Sequence, residues 1–143
     1  MPPFYPQETP DSCVPACLRM VLAEAGTVIS ESELRRLCDC TIFGTEALQA
    51  VEAARQVGFV KARKANLTMV QLDDLVAQGL YPIVYVGLMP IDRVRGIHSL
   101  VVGETDENDV TVLDPLVGKR QVNRSHFEAA FRLTNGLTIM IAE

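Results

Sequence analysis

The chain has no tryptophan and only two histidines in 143 residues. Any histidine-dependent chemistry therefore runs through His98 or His126, and a metal centre built from several imidazoles is excluded. A basic surplus is also missing. Lys and Arg total 13 against 18 Asp and Glu, a net charge of −5, and phosphate binding needs the opposite sign on one face, so nucleic acid is not an expected partner. Arg93, Arg95, Arg120 and Arg124 read as part of a solvated surface. No apolar run, such as 83–89, approaches the roughly 20 residues of a membrane-spanning helix. Met1-Pro2-Pro3-Phe4 lacks the basic-then-apolar order of a signal peptide, so a cytoplasmic location with reduced thiols is expected. The four cysteines, Cys13, Cys17, Cys38 and Cys40, follow a Cys-x3-Cys then Cys-x-Cys pattern that is not the spacing of common structural zinc modules. No metal and no cofactor are expected.

What is present is an ordinary globular composition, 48% hydrophobic and 22% charged, of a length suited to one domain spanning 1–143. Helical signals fill the first half. Ser12 or Asp11 caps a largely apolar helix over about 13–25, which Gly26 ends. Ser30 and Glu33 form a capping-box pattern for a second helix over 31–38. Thr45 caps a third over about 45–57, with Leu48, Val51 and Ala54 on its inner face and Gly58 as its stop. A short strand is expected over 59–65, and Thr68 with Gln71 caps a fourth helix ending at Gly79. From Tyr81 the pattern changes to strands: 82–88, then a loop at 89–96, then 97–103, a polar turn at 106–109, 110–114 and 119–122. Ser125 caps a last helix containing Phe127 and Phe131, and 137–142 closes as a strand. Helices followed by antiparallel strands define an α+β class, a helical half packed on an antiparallel sheet.

Four residues carry candidate chemistry. Cys13 stands where a polar loop turns into an apolar helix, against unsatisfied N–H groups and the positive end of the helix dipole, which favour thiolate. Pro15 suits the first turn, and Gln7 offers a side-chain amide six residues upstream. His98 enters an apolar strand, where a titratable side chain needs a partner. Asp114 ends the next strand, at the same end of the pair as His98, and a carboxylate there orients an imidazole. Each has an ordinary structural reading: a core thiol, a structural histidine, an Asp-Pro turn. Cys17, one turn after Cys13, reads as core, and His126 as a surface residue. Together, Cys13, His98, Asp114 and Gln7 compose a nucleophile, a base, an orienting carboxylate and an oxyanion donor.

Gln7-x5-Cys13 with Ala16-Cys17-Leu18-x-Met20-Val21, then His98-Ser99-Leu100-Val101-Val102, then Asp114-Pro115-x-x-Gly118, resembles the bacteriocin-processing cysteine peptidases, which are papain-like and commonly form the N-terminal domain of peptide-exporting ABC transporters. The Ser125-x-Phe127 helix and the final hairpin with Gly136 resemble that family's ending. The resemblance implies a papain-like fold and a peptide or protein substrate cleaved after a Gly-Gly leader. It assigns Cys13 as nucleophile, His98 as base and then acid, Asp114 as its orienter, and Gln7 with the Cys13 N–H as oxyanion donors. It further implies a narrow channel walled by apolar residues such as Leu100, and, if the chain is an excised domain, the membrane and nucleotide-binding domains of a transporter as partners. Val14 and Pro15 stand where family members often carry Gly after the cysteine, and the aromatic residue, often Trp, near the final glycine is not a Trp here. A papain-fold acyl transferase or amidase, and a non-catalytic peptide-docking domain of the same fold, remain the other readings.

Overall fold

The helices begin where the chain supplies acceptors for their free N–H groups. The computed structural model describes residues 1–142; Glu143, the last residue of the expected domain, lies outside the described residues. Ser30 Oγ accepts from the Glu33 N–H at 3.2 Å and starts α2 (Glu31–Leu37). Thr68 and Gln71 satisfy one another's backbone N–H groups at the start of α4 (Met69–Ala77). Among the other helices, α1 spans Cys13–Glu24, α3 Ala47–Gln56, and α6 Arg124–Arg132.

Several boundaries move for identifiable reasons. Ser12 stands at the N-cap of α1, yet its side chain does not cap that helix. α3 starts after Glu46, whose N–H donates to Gln49 Oε1 at 2.9 Å. Thr45 is buried instead, its carbonyl accepting from the Tyr85 hydroxyl at 2.7 Å. Leu48 faces outward at 54% exposure, and alanines with Val51 form the inner face of α3. Of the expected 59–65 strand only 63–65 pairs, within β1 (Arg63–Asn66). Phe59 turns back onto α3, its N–H donating to Ala54 O at 3.0 Å, and is 4% exposed in the core. The 89–96 loop holds a short helix, α5 (Met89–Asp92), with Pro90 in its first turn, where no intrahelical N–H is lost. Asn123, not Ser125, caps α6, because its Oδ1 accepts from the N–H groups of Ser125 and His126.

The strands β2 (Ile83–Gly87), β3 (Ile97–Thr105), β4 (Asp109–Asp114), β5 (Gly118–Asn123) and β6 (Leu137–Met140) join β1 in one sheet of order β1-β6-β2-β3-β4-β5. Every pairing is antiparallel. The sheet is covered on both faces. Cys17, Leu18, Leu22, Leu34 and Val51 of α1–α3 pack with Ile83, Val101, Leu113 and Ile139. Alternate strand residues, Val84, Val86, Leu100 and Val112, point the other way onto Leu72 of α4 and Phe127 and Phe131 of α6. The helical layer is thus split, with α4 and α6 on the face away from α1. No helix among the described residues is long and apolar enough to cross a membrane.

Candidate active site

Cys13 is the first residue of α1, and His98 and Asp114 lie near the ends of β3 and β4. The register that sets Val101 opposite Leu113 brings Asp114 opposite Leu100, on the face of His98 and one diagonal step away. His98 Nε2 donates to Asp114 Oδ1 at 2.8 Å, with both side chains almost fully buried. The aspartate is itself held. Its Oδ1 accepts from the Leu116 N–H at 2.9 Å, and Arg120 Nη1 reaches Oδ2 at 3.5 Å. With Nε2 committed to the carboxylate, the other ring nitrogen of His98 is left for the Cys13 sulfur.

The electrostatics follow from that placement. Burial pushes the Cys13 thiol up, but hydrogen bonds to His98 and to the Ser99 hydroxyl, the His98 charge and the Ser99 N–H outweigh it, and the thiol titrates below its ordinary range. Burial opposes the imidazolium of His98, but its hydrogen bonds to Asp114 and Cys13, with the charges of both, lift it from 6.5 to about 9. Burial also raises Asp114, yet the His98 and Leu116 hydrogen bonds and the charges of His98 and Arg120 hold it below the usual carboxylate range. The opposed shifts of Cys13 and His98 each favour the charged form, thiolate on one side and imidazolium on the other. The remaining thiols differ. Burial drives Cys17 well above its ordinary value and Cys38 up to about 12.

Gln7 lies on the loop ahead of α1. Its N–H donates to Pro115 O at 3.0 Å, tying that loop to the residue after Asp114. Its side chain folds onto its own loop, with Nε2 donating to Thr9 O at 2.8 Å and Pro10 O at 3.2 Å. The N–H groups of Cys13 and Val14 have no hydrogen-bond partner among the described residues. Leu100 does not wall a channel; it is 2% exposed and packs in the core beneath α6. The apolar side chains exposed beside the site are Ile97, next to His98, and Leu116 and Val117, just after Asp114.

Three residues of this region escaped the sequence reading. Ser99, fully buried, faces α1 with Oγ 3.6 Å from Cys17 Sγ; a hydroxyl within an apolar strand is the signal that it has a partner. Arg120 is no free surface cation, since it bonds Asp92 of α5 at 2.8 Å as well as Asp114. Arg124 likewise pairs with Asp73. The third is Glu31, fully buried at the start of α2. No group of three or more His, Cys, Asp or Glu side chains among the described residues is placed to hold a metal ion.

The helix-borne cysteine, the strand-borne histidine and the antiparallel sheet between two helical layers make this a papain-like fold. The chain belongs to the peptidase C39 family, whose description matches residues 2–143. It is 29% identical over 142 residues to the transport/processing ATP-binding protein ComA of Streptococcus pneumoniae, an alignment covering 97% of this chain but only 18% of that protein. The solved peptidase domain of Streptococcus ComA, described as a bifunctional ABC transporter involved in a quorum-sensing pathway, superposes with a TM-score of 0.80 at 29% identity, covering 97% of both chains. A double-glycine-motif protease from an AMS/PCAT transporter, solved with its leader peptide, shares the fold with a TM-score of 0.81 at 20% identity, over 99% of this chain and 93% of that one.

Proposed function

We propose that the protein is a cysteine peptidase that hydrolyses a peptide bond through an acyl-enzyme, with Cys13, His98 and Asp114 as its triad. The observation that carries this reading is the buried His98–Asp114 pair at 2.8 Å beside a helix-start thiol that titrates below its ordinary range. The Cys13 thiolate attacks the carbonyl carbon, and the developing oxyanion meets the free N–H of Cys13. Gln7 joins as a second donor by giving up Pro10 O, the longer of its two bonds. Protonated His98 then gives its proton to the leaving amine, and Asp114 stabilises the ring in both states. Water, deprotonated by His98, hydrolyses the thioester. The likeness to the ComA peptidase domain supports a peptide cut after a Gly-Gly leader, with Ile97, Leu116 and Val117 as the apolar rim that receives it. A cytoplasmic site of action beside the membrane and nucleotide-binding domains of an ABC transporter belongs to the same reading.

The test is incubation with a synthetic leader peptide carrying Gly-Gly ahead of a cargo segment, followed by mass spectrometry. Cleavage after the second glycine is expected, and its loss in Cys13→Ala. Binding without cleavage by protein whose Cys13 is free overturns the reading in favour of a docking domain. Accumulation of leader joined through its terminal glycine to an added amine, in place of the free leader acid, identifies an acyl transferase.

A further inference from the structure

Glu31 is a carboxylate with 0% exposure on a helix whose inner face could hold an apolar side chain there. Burying that group is costly unless its oxygens are matched. Its Oε2 lies 3.2 Å from Arg35 Nε, an ion pair without hydrogen-bond alignment. Its Oε1 accepts from the Glu8 N–H at 2.9 Å and from the Ser12 hydroxyl at 3.2 Å. Glu8 immediately follows Gln7, and Ser12 immediately precedes Cys13. One buried oxygen therefore grips both ends of the loop between the oxyanion donor and the nucleophile. Within the loop, Ser12 Oγ accepts from the Thr9 N–H at 3.0 Å and shares its proton with Thr9 O at 3.1 Å; Thr9 O also receives Gln7 Nε2.

The grip has a second consequence. An N-cap serine ordinarily turns its oxygen onto the N–H groups of the first helical turn. Here the hydroxyl is drawn to Glu31 and Thr9, and Pro15 has no N–H to offer. The Val14 N–H, which such a cap would take, is thereby left open beside that of Cys13 at the positive end of α1.

We propose that Glu31 is the positioning residue of the oxyanion site, holding the Gln7 loop in place and keeping the Ser12 hydroxyl off the first turn of α1. The inference rests on the peptidase reading above and adds a residue to it. Glu31 touches neither the thiol nor the imidazole, so its loss should damage oxyanion binding and spare the thiolate.

Two reactions of Cys13 separate these effects. Alkylation by iodoacetamide needs only a thiolate, whereas acylation by p-nitrophenyl acetate passes through a tetrahedral oxyanion and releases nitrophenolate. Both rates are measured with the Cys13→Ala background subtracted and folding checked by circular dichroism. Glu31→Leu, which has no acceptor, should acylate roughly tenfold more slowly at an unchanged alkylation rate, less than the hundredfold or more of losing an oxyanion donor outright. Glu31→Gln, which keeps Oε1, should recover most of the acylation rate. Equal acylation in Glu31→Leu, or a parallel fall of both rates, overturns the proposal. Should Glu31→Leu not fold, Ser12→Ala decides, with a smaller fall in acylation alone expected and an unchanged ratio counting against it. Wild-type Cys13 that alkylates but does not acylate overturns proposal and peptidase reading together, whereas normal wild-type acylation with an unchanged Glu31→Leu overturns the proposal alone.

Discussion

Cys13 and His98 move one another's titration in opposite directions, and that reciprocity has consequences at single residues. Alkylation of Cys13 should titrate below the range of an ordinary thiol and outpace Cys17, Cys38 and Cys40. Ser99→Ala removes one of the groups that favour the thiolate, so the labelling midpoint should move upward; an unmoved midpoint would take Ser99 out of the site. Peptide cleavage should fall on the alkaline side near pH 9, where His98 loses the proton that the leaving amine needs. The same shift bears on stability. Since the folded value lies above the unfolded one of about 6.5, the His98 contribution is full below about pH 6.5 and is lost as pH rises through about 9. The gap in urea midpoint between wild type and His98→Gln should narrow across that interval. The sequence singles out Cys13, His98 and Asp114, which the fold brings together, because each residue type breaks its local pattern. Sequence reasoning missed Glu31, which sits inside a capping-box pattern where an acidic residue is unremarked, and Arg120, whose partner Asp92 lies far away in sequence.

At the scale of elements, the capping boxes of α2 and α4 and the glycines that end helices were the most legible features, because their physics is local. Glycine still hides a distinction that only neighbours reveal. Gly26 and Gly136 both have positive φ, at 94° and 68°. A Cβ on Gly26 meets nothing within 4 Å, whereas one on Gly136 lands on the Leu67 backbone carbonyl. Leu67 also donates its N–H to Gly136 O at 2.9 Å, beside the pairing of β1 with β6. Gly26→Ala should therefore cost about 1–2 kcal/mol, the penalty of a left-handed residue. Gly136→Ala should cost clearly more, since the backbone itself must shift. Equal urea midpoints for the two variants would contradict this account.

For the whole molecule, one sheet serves two cores. One face packs on α1, which carries Cys13, and the face toward α4 and α6 supplies bulk, including the stacked pair Phe127 and Phe131 with ring centroids 5.7 Å apart. Phe127 is fully buried, so Phe127→Ala should cost about 3–5 kcal/mol, a large part of the 5–15 kcal/mol typical of a domain. Calorimetry should show that loss. Cys13 labelling should stay at its wild-type rate while the variant is folded, because α1 packs on the other face. Slower labelling at a temperature where the fold is intact would mean that the two cores are coupled.

The α+β order, the starts of α2 and α4, the polar turn at 106–109 and the pairing of β3 with β4 were written in local periodicity, capping chemistry and turn composition, and His98 and Asp114 came together because a hairpin is a local event. Tertiary structure alone decided which strands flank β6, that helices cover both sheet faces, and that Leu48 points outward while Leu100 points into the core. It also decided that Ser99, Arg120 and Glu31 converge on Cys13, His98 and Asp114 or on the loop before them. These outcomes depend on contacts between distant segments, where burial and charge pairing are set by whatever the fold brings alongside, and no window of neighbouring residues contains that information.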